Sequence, residues 1–200
     1  MIPIFKIKNL NFSYSENEIL KNIDLEFYKG DRIVLVGSNG SGKSTLLRCI
    51  SGHHIMKYDF LQIDGKNYNS LPWCDQHNGM AYLGGNWIRQ RGFVGIEPYY
   101  QDILVRNMLS EWQIKYKKRR NEIANILDIN LDWNMKNLSD GERQKVRIML
   151  KLMKPFKCCV VDEFATTLDL IARQNLAEYF VKETNERNCC LIYATHLFDS

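Results

Sequence analysis

The stretch GSNGSGKST, from Gly37 to Thr45, constrains this 200-residue chain more than any other. It follows the compact apolar run of DRIVLVG and leads into TLLRCI, which reads as a helix. Strand, glycine-rich turn, Lys-Ser and helix, in that order, are the parts of a phosphate loop. Glycines let the backbone turn tightly and aim its N–H groups inward. Those groups, with the positive end of the following helix, form a seat for phosphate oxygens. Lys43 can bridge the β- and γ-phosphates of a nucleotide, and the Ser44 hydroxyl can ligate Mg2+. The expected phosphate-binding set is Gly37, Ser38, Asn39, Gly40, Ser41, Gly42, Lys43, Ser44 and Thr45.

Two later runs supply partners for such a loop. In CCVVDE an apolar strand delivers Asp162 at its tip, where a carboxylate can hold Mg2+, often through water. Glu163 follows at once and can polarise an attacking water as a general base. The run CCLIYATH ends in His196. A lone histidine is usually structural, but one ending a strand parallel to the Asp162 strand can reach a γ-phosphate.

The rest of the chain reads as α/β. Residues 4–36 are β-rich, and NIDLEFY sets Ile23, Leu25 and Phe27 on one face of a strand. DRIVLVG is expected to be a central strand. Asp64-Gly65 between short strand-like runs predicts a hairpin, and MAYLGG predicts a further strand. Residues 86–154 change character: Trp112, Tyr116, Ile123 and Leu127 recur at helical spacing in a segment rich in Lys and Arg. A helix is expected over roughly 169–187, between the two buried strands.

A net charge of +4 suits anionic ligands but is too mild to require nucleic acid. KYKKRR, from Lys115 to Arg120, is expected to be the solvated face of an amphipathic helix rather than an RNA-phosphate site. The six cysteines have no zinc-like spacing, and the pairs at 158–159 and 189–190 lie in apolar runs. Reduced core thiols of a cytosolic protein are the expectation. No apolar run is long enough to span a bilayer, so any membrane role would need another chain.

The order phosphate loop, LSDGE, VVDE, TTLD and ATH resembles the nucleotide-binding domain of ABC-type ATPases over nearly the whole chain. YLGGNW, ILDIN, LSDGE and YATHLFD are also similar to soluble ABC ATPases associated with the eukaryotic carbon catabolite repression–NOT complex. The resemblance implies ATP and Mg2+ as ligands, and a single domain over 1–200. Residues 1–85 and 155–200 would form a P-loop core, with a mostly parallel sheet and an N-terminal antiparallel β subdomain. Residues 86–154 would form an inserted α-helical subdomain.

It also implies roles. Tyr14 would stack on adenine, although a strand-end tyrosine is an ordinary alternative. Ser139 and Gly141 would touch a γ-phosphate in trans, in a head-to-tail homodimer with two ATPs at the seam. Asp169 would communicate across that seam, or equally could be a buried aspartate capping the next helix.

The run LSDGE departs from the family, which usually has glycine where Asp140 stands and glutamine where Glu142 stands. Ser139 and Glu142 have capping-box spacing, which gives Glu142 a local structural job. A carboxylate ~6 Å from a phosphate charge would repel it by ~3 kcal/mol at an effective dielectric of ~20. A usable but weakened contact is expected, with Asp140 turned away from the nucleotide. Gly84, Gly85 and Asn86 stand where the family has a glutamine that senses Mg2+ and water and couples to membrane partners. Phe164 stands where it has proline. The family continues with more helix after His196, so a C-terminally shortened domain is expected.

The implied function is ATP binding and hydrolysis by a dimerising ABC ATPase that docks to a gene-expression complex, in the cytoplasm or also the nucleus. The alternatives are the ATPase subunit of a transporter with separate membrane chains, and a non-hydrolysing nucleotide-dependent binding module.

Overall fold

A computed structural model of the chain describes residues 2–68, 79–84, 102–162 and 168–195. Its described residues divide into two compact units.

The first unit comprises residues 1–84, 155–164 and 180–200. Strands β1 (Phe5–Tyr14), β2 (Asn17–Phe27), β4 (Phe60–Ile63) and β5 (Lys66–Asn67) form an antiparallel sheet in the order β2-β1-β4-β5. Asp64 (φ 47°) and Gly65 (φ 80°) make the β4–β5 turn with both central residues left-handed. That turn matches the twist of paired strands, and it is the hairpin predicted from Asp-Gly. Strands β3 (Arg32–Val36), β6 (Met80–Leu83), β7 (Cys158–Asp162) and β8 (Cys190–Thr195) form a parallel sheet in the order β3-β8-β7-β6. Helix α1 (Lys43–Ile50) follows β3.

Both sheets and α1 share one core. Phe5, Ile7 and Leu10 of β1, Leu47 and Ile50 of α1, Val160 of β7 and Ile192 of β8 are all buried in it. β7 is buried along its whole length, as expected of a strand covered on both faces. β3 corrects the expectation of a central strand. Among the described residues it pairs only with β8, and Val34 is 62% exposed. An apolar run signals burial on both faces, and here only Ile33 and Leu35 are packed against the core.

Cys49, Cys158, Cys159, Cys189 and Cys190 are buried thiols outside any disulfide, as expected, and Cys74 lies outside the described residues. Burial pushes the Cys49 thiol up to about 12, so it stays protonated.

The second unit comprises residues 85–154 and 165–179. It contains α2 (Ser110–Lys115), α3 (Lys117–Ile126) and α4 (Asp140–Leu152); α5 (Leu170–Arg187) begins in it. Ile123, Leu127, Val146, Met149 and Leu176 are buried there. The expected amphipathic run is broken at Tyr116 (φ −111°, ψ 34°), which separates α2 from α3. KYKKRR is accordingly not a uniform solvated face. Lys115, Lys117 and Lys118 are exposed, but Arg119 is buried and its Nε donates to the Leu152 carbonyl at 2.7 Å. An arginine that satisfies a helix-end carbonyl is a structural group and not free to meet RNA.

Among the described residues no helix is long and apolar enough to cross a membrane.

Candidate functional site

The carboxyl ends of three parallel strands align. Val36 is paired with Thr195, and Ala194 with Asp162. Side chains that end such strands meet at one edge of the sheet, where open α/β folds bind their ligands. β7 and β8 lead directly into Glu163 and His196, which both lie outside the described residues, as do Gly85, Asn86 and Phe164.

The loop after β3 is held in a shape that the sequence explains. Gly42 has φ 91°, immediately before the first residue of α1. A Cβ there would be strained by that backbone and would lie 3.3 Å from Ile19 Cγ2. Ser38, Asn39, Gly40 and Ser41 are exposed, whereas Lys43 is only 7% exposed. Lys43 Nζ folds back and donates to the carbonyls of Gly37 (2.8 Å) and Ser38 (3.0 Å). Ser44 and Thr45 stand in the first turn of α1, half-buried.

Ser44 Oγ donates to Asp162 Oδ1 at 2.7 Å, so two residues 118 apart in sequence are joined. Asp162 is 8% exposed, and its other oxygen, Oδ2, accepts from the Tyr82 hydroxyl at 3.0 Å. A hydroxyl and a buried carboxylate are hard oxygen donors. They fit Mg2+, which takes one or two protein oxygens and keeps the rest of its shell for water and phosphate. Tyr82 was not singled out by sequence. Burial pushes its phenol up to about 12.

Tyr14, at the end of β1, is 44% exposed. Its hydroxyl lies 2.8 Å from His54 Nε2, and its ring stands edge-on to Phe12 at 4.8 Å. His54 stacks on Phe12 at 5.0 Å. Burial, and then the charge of Arg48, lowers the His54 pKa, which favours the neutral imidazole. The tyrosine is braced and partly open, as a stacking platform needs to be.

In the second unit, Ser139 is the N-cap of α4, in a complete capping box. Its N–H donates to Glu142 Oε2 at 2.8 Å and its hydroxyl to the same oxygen at 2.7 Å, while Glu142 N–H donates back at 3.3 Å. The Ser139 hydroxyl proton is therefore engaged by Glu142. To donate to another anion it would have to turn. Asp140 is paired with Arg143 at 3.2 Å, one turn along the helix. Gly141 is half-buried in the first turn.

Asp169 caps α5. Its Oδ1 accepts from Ala172 N–H at 2.8 Å, and Oδ2 pairs with Lys145 of α4 at 3.0 Å. The capping expectation is met, but the side chain is 56% exposed rather than buried. The Ala172 N–H, then Lys145, lowers its pKa. Lys145 was also missed by sequence, since nothing local marks its partner.

The capping box yields a measurable expectation. The Ser139 hydroxyl, then its N–H, holds the Glu142 carboxyl below its ordinary value. A carboxylate with a depressed folded pKa contributes stability above its unfolded pKa and loses it as pH falls through the folded one. Ser139→Ala should cost about 1 kcal/mol in urea unfolding at neutral pH. The difference from the parent should shrink below the ordinary carboxylate range; equal stability at neutral pH would contradict the cap.

Comparison with known proteins agrees with this geometry. Residues 20–166 match the protein family described as ABC transporter. The chain is 33% identical over 204 residues to "ABC transporter I family member 20" of Arabidopsis thaliana, covering 97% of this chain and 62% of that protein. It is 31% identical to "CCR4-associated factor 16" of Saccharomyces cerevisiae, covering 97% of this chain and 70% of that protein. It is also 31% identical to the "Maltose/maltodextrin import ATP-binding protein MalK" of Photobacterium profundum, covering 95% of this chain and 51% of that protein. The chain thus spans between about half and 70% of these relatives' lengths. Among solved structures, one described as the ATP binding subunit of an ABC transporter superposes with a TM-score of 0.77 at 19% identity, covering 97% of this chain and 80% of that one. At that identity it speaks for the fold alone.

Proposed function

Because this chain belongs to the ABC transporter family and is an ABC ATP-binding domain, we propose that it hydrolyses Mg-ATP, and that ATP closes it into a head-to-tail homodimer. The observation that carries the reading is the 2.7 Å bond between Ser44 and Asp162, beside a lysine folded over the phosphate loop. Ser44 and Asp162 would hold Mg2+, which would neutralise charge on the phosphates.

The residues then divide the work. The loop N–H groups bind phosphate, and Lys43 exchanges its two carbonyl partners for phosphate oxygens. Glu163 takes a proton from the attacking water, and His196 donates to a γ-phosphate oxygen. Tyr14 stacks on adenine. Ser139 and Gly141 contact the γ-phosphate held by the second copy, with Asp140 drawn off by Arg143. Asp169 communicates across the seam while held by Lys145. The whole would be one domain with a helical insert.

We place its output with a gene-expression complex, in the cytoplasm or nucleus, because of the similarity to CCR4-associated factor 16. The similarity to the maltodextrin import protein supports a second reading, a transporter ATPase subunit with separate membrane chains. Gly84, Gly85 and Asn86 in place of the coupling glutamine weigh against it.

The test is the solution mass of Glu163→Gln with and without Mg-ATP, by light scattering after size exclusion. A monomer that becomes a dimer only with Mg-ATP is expected. A monomer in both conditions would overturn the dimer switch.

A further inference from the structure

The Asp162 carboxylate is gripped from two sides, and only one grip is explained by the phosphate loop. Ser44 takes Oδ1 at 2.7 Å; the Tyr82 phenol takes Oδ2 at 3.0 Å. Two hydroxyls on opposite oxygens fix the rotation of a carboxylate that is 8% exposed.

The direction of the Tyr82 bond is set by its partner. A carboxylate only accepts, so the phenol proton is directed to Asp162. The Tyr82 ring is packed on the His53 imidazole at 4.4 Å between centroids. His53 is in turn bonded to the fully buried Ser51, at 3.0 Å.

Gly84 makes room for this arrangement. A Cβ on Gly84 would lie 2.4 Å from the Tyr82 hydroxyl oxygen and 2.9 Å from Asp162 Cβ. Any side chain at this position would push the phenol away from the carboxylate. Gly84, directly after β6, thus leaves the space through which the Tyr82 phenol reaches Asp162.

We propose that Tyr82, passing over Gly84 and packed on His53, is a positioning residue that holds Asp162 in the orientation in which it and Ser44 receive Mg2+. The inference rests on the Mg-ATP reading above and adds a residue to it. Groups behind metal ligands orient them, and removing one typically weakens metal binding by about 10- to 100-fold.

The experiment is calorimetric titration of the full chain with the non-hydrolysable analogue adenylyl imidodiphosphate, in EDTA and over a series of free Mg2+ concentrations. Tyr82→Phe keeps the ring on His53 and removes only the hydroxyl. Its affinity in EDTA should stay within about twofold of the parent, while the Mg2+ needed for half-maximal tightening should rise about tenfold. Gly84→Ala should shift the Mg2+ requirement in the same direction by displacing the phenol. An unchanged Mg2+ requirement in Tyr82→Phe would overturn the inference, whatever Gly84→Ala does. Failure of the underlying reading looks different: in the parent, Mg2+ would not tighten the analogue at all, and both proposals would fall.

Discussion

Lys43→Ala should weaken ATP binding by about a hundredfold or more, which corresponds to ~2.7 kcal/mol. Lys43 already donates within the loop to the carbonyls of Gly37 and Ser38. In the proposed complex, nucleotide binding would exchange those neutral acceptors for phosphate oxygens. Hydrogen bonds to charged groups are worth about 1.5–3 kcal/mol each, and Lys43 is buried, so solvent screens the new pairs poorly. The loop also loses a brace, which opposes the simple charge argument: part of any loss could come from a slack loop. Comparing melting temperatures separates the two, because a slack loop lowers stability without nucleotide, whereas the charge effect appears only in the binding titration. Calorimetric affinity within about threefold of the parent would end the assignment of this loop as the phosphate site.

What could be read in advance was what is local. The phosphate loop announces itself because its glycines, its lysine and its serines all lie within nine residues. The Asp64-Gly65 turn is equally local, since left-handed φ at both positions selects those residue types. The capping box at Ser139 spans a single helical turn. In each case chemistry and spacing lie in the same short stretch.

What could not be read depends on partners chosen in three dimensions. Nothing in MAYLGG marks Tyr82 as more than an alternating strand residue, because its partner Asp162 is 80 residues away. Arg119 sits in a run of like charges that reads as solvated. Only the approach of α3 to the end of α4 gives it the Leu152 carbonyl. DRIVLV has a central strand's composition but lies at the edge of the described sheet, because composition reports how apolar a strand is and not how many neighbours it acquires. The departures at Asp140 and Glu142 illustrate the same limit. The two carboxylates suggest a repelled phosphate, yet each is already committed, one to Arg143 and the other to the cap.

Glu163→Gln should lower ATP turnover by ~10²-fold or more while leaving ATP affinity intact. The substitution is nearly isosteric. It removes the ability to take a proton, and a glutamine amide oxygen has almost no basicity at neutral pH. Positioned general bases contribute about 10²–10⁴-fold. Binding should be spared because the phosphate loop and the Ser44–Asp162 pair are untouched. Losing a negative charge next to the Asp162 position should, if anything, favour a polyanionic ligand. The two quantities must therefore part company: single-turnover hydrolysis collapses while equilibrium binding of Mg-ATP holds or tightens. Asp162→Asn gives the contrasting pattern, since it disturbs the partner of both Ser44 and Tyr82 and should raise the Mg2+ requirement along with slowing turnover. If Glu163→Gln turned over at near-parental rates, another group or water alone would be activating the nucleophile. The dimer that this variant is meant to trap would then be lost to hydrolysis as fast as in the parent, so turnover has to be measured before the solution mass is interpreted.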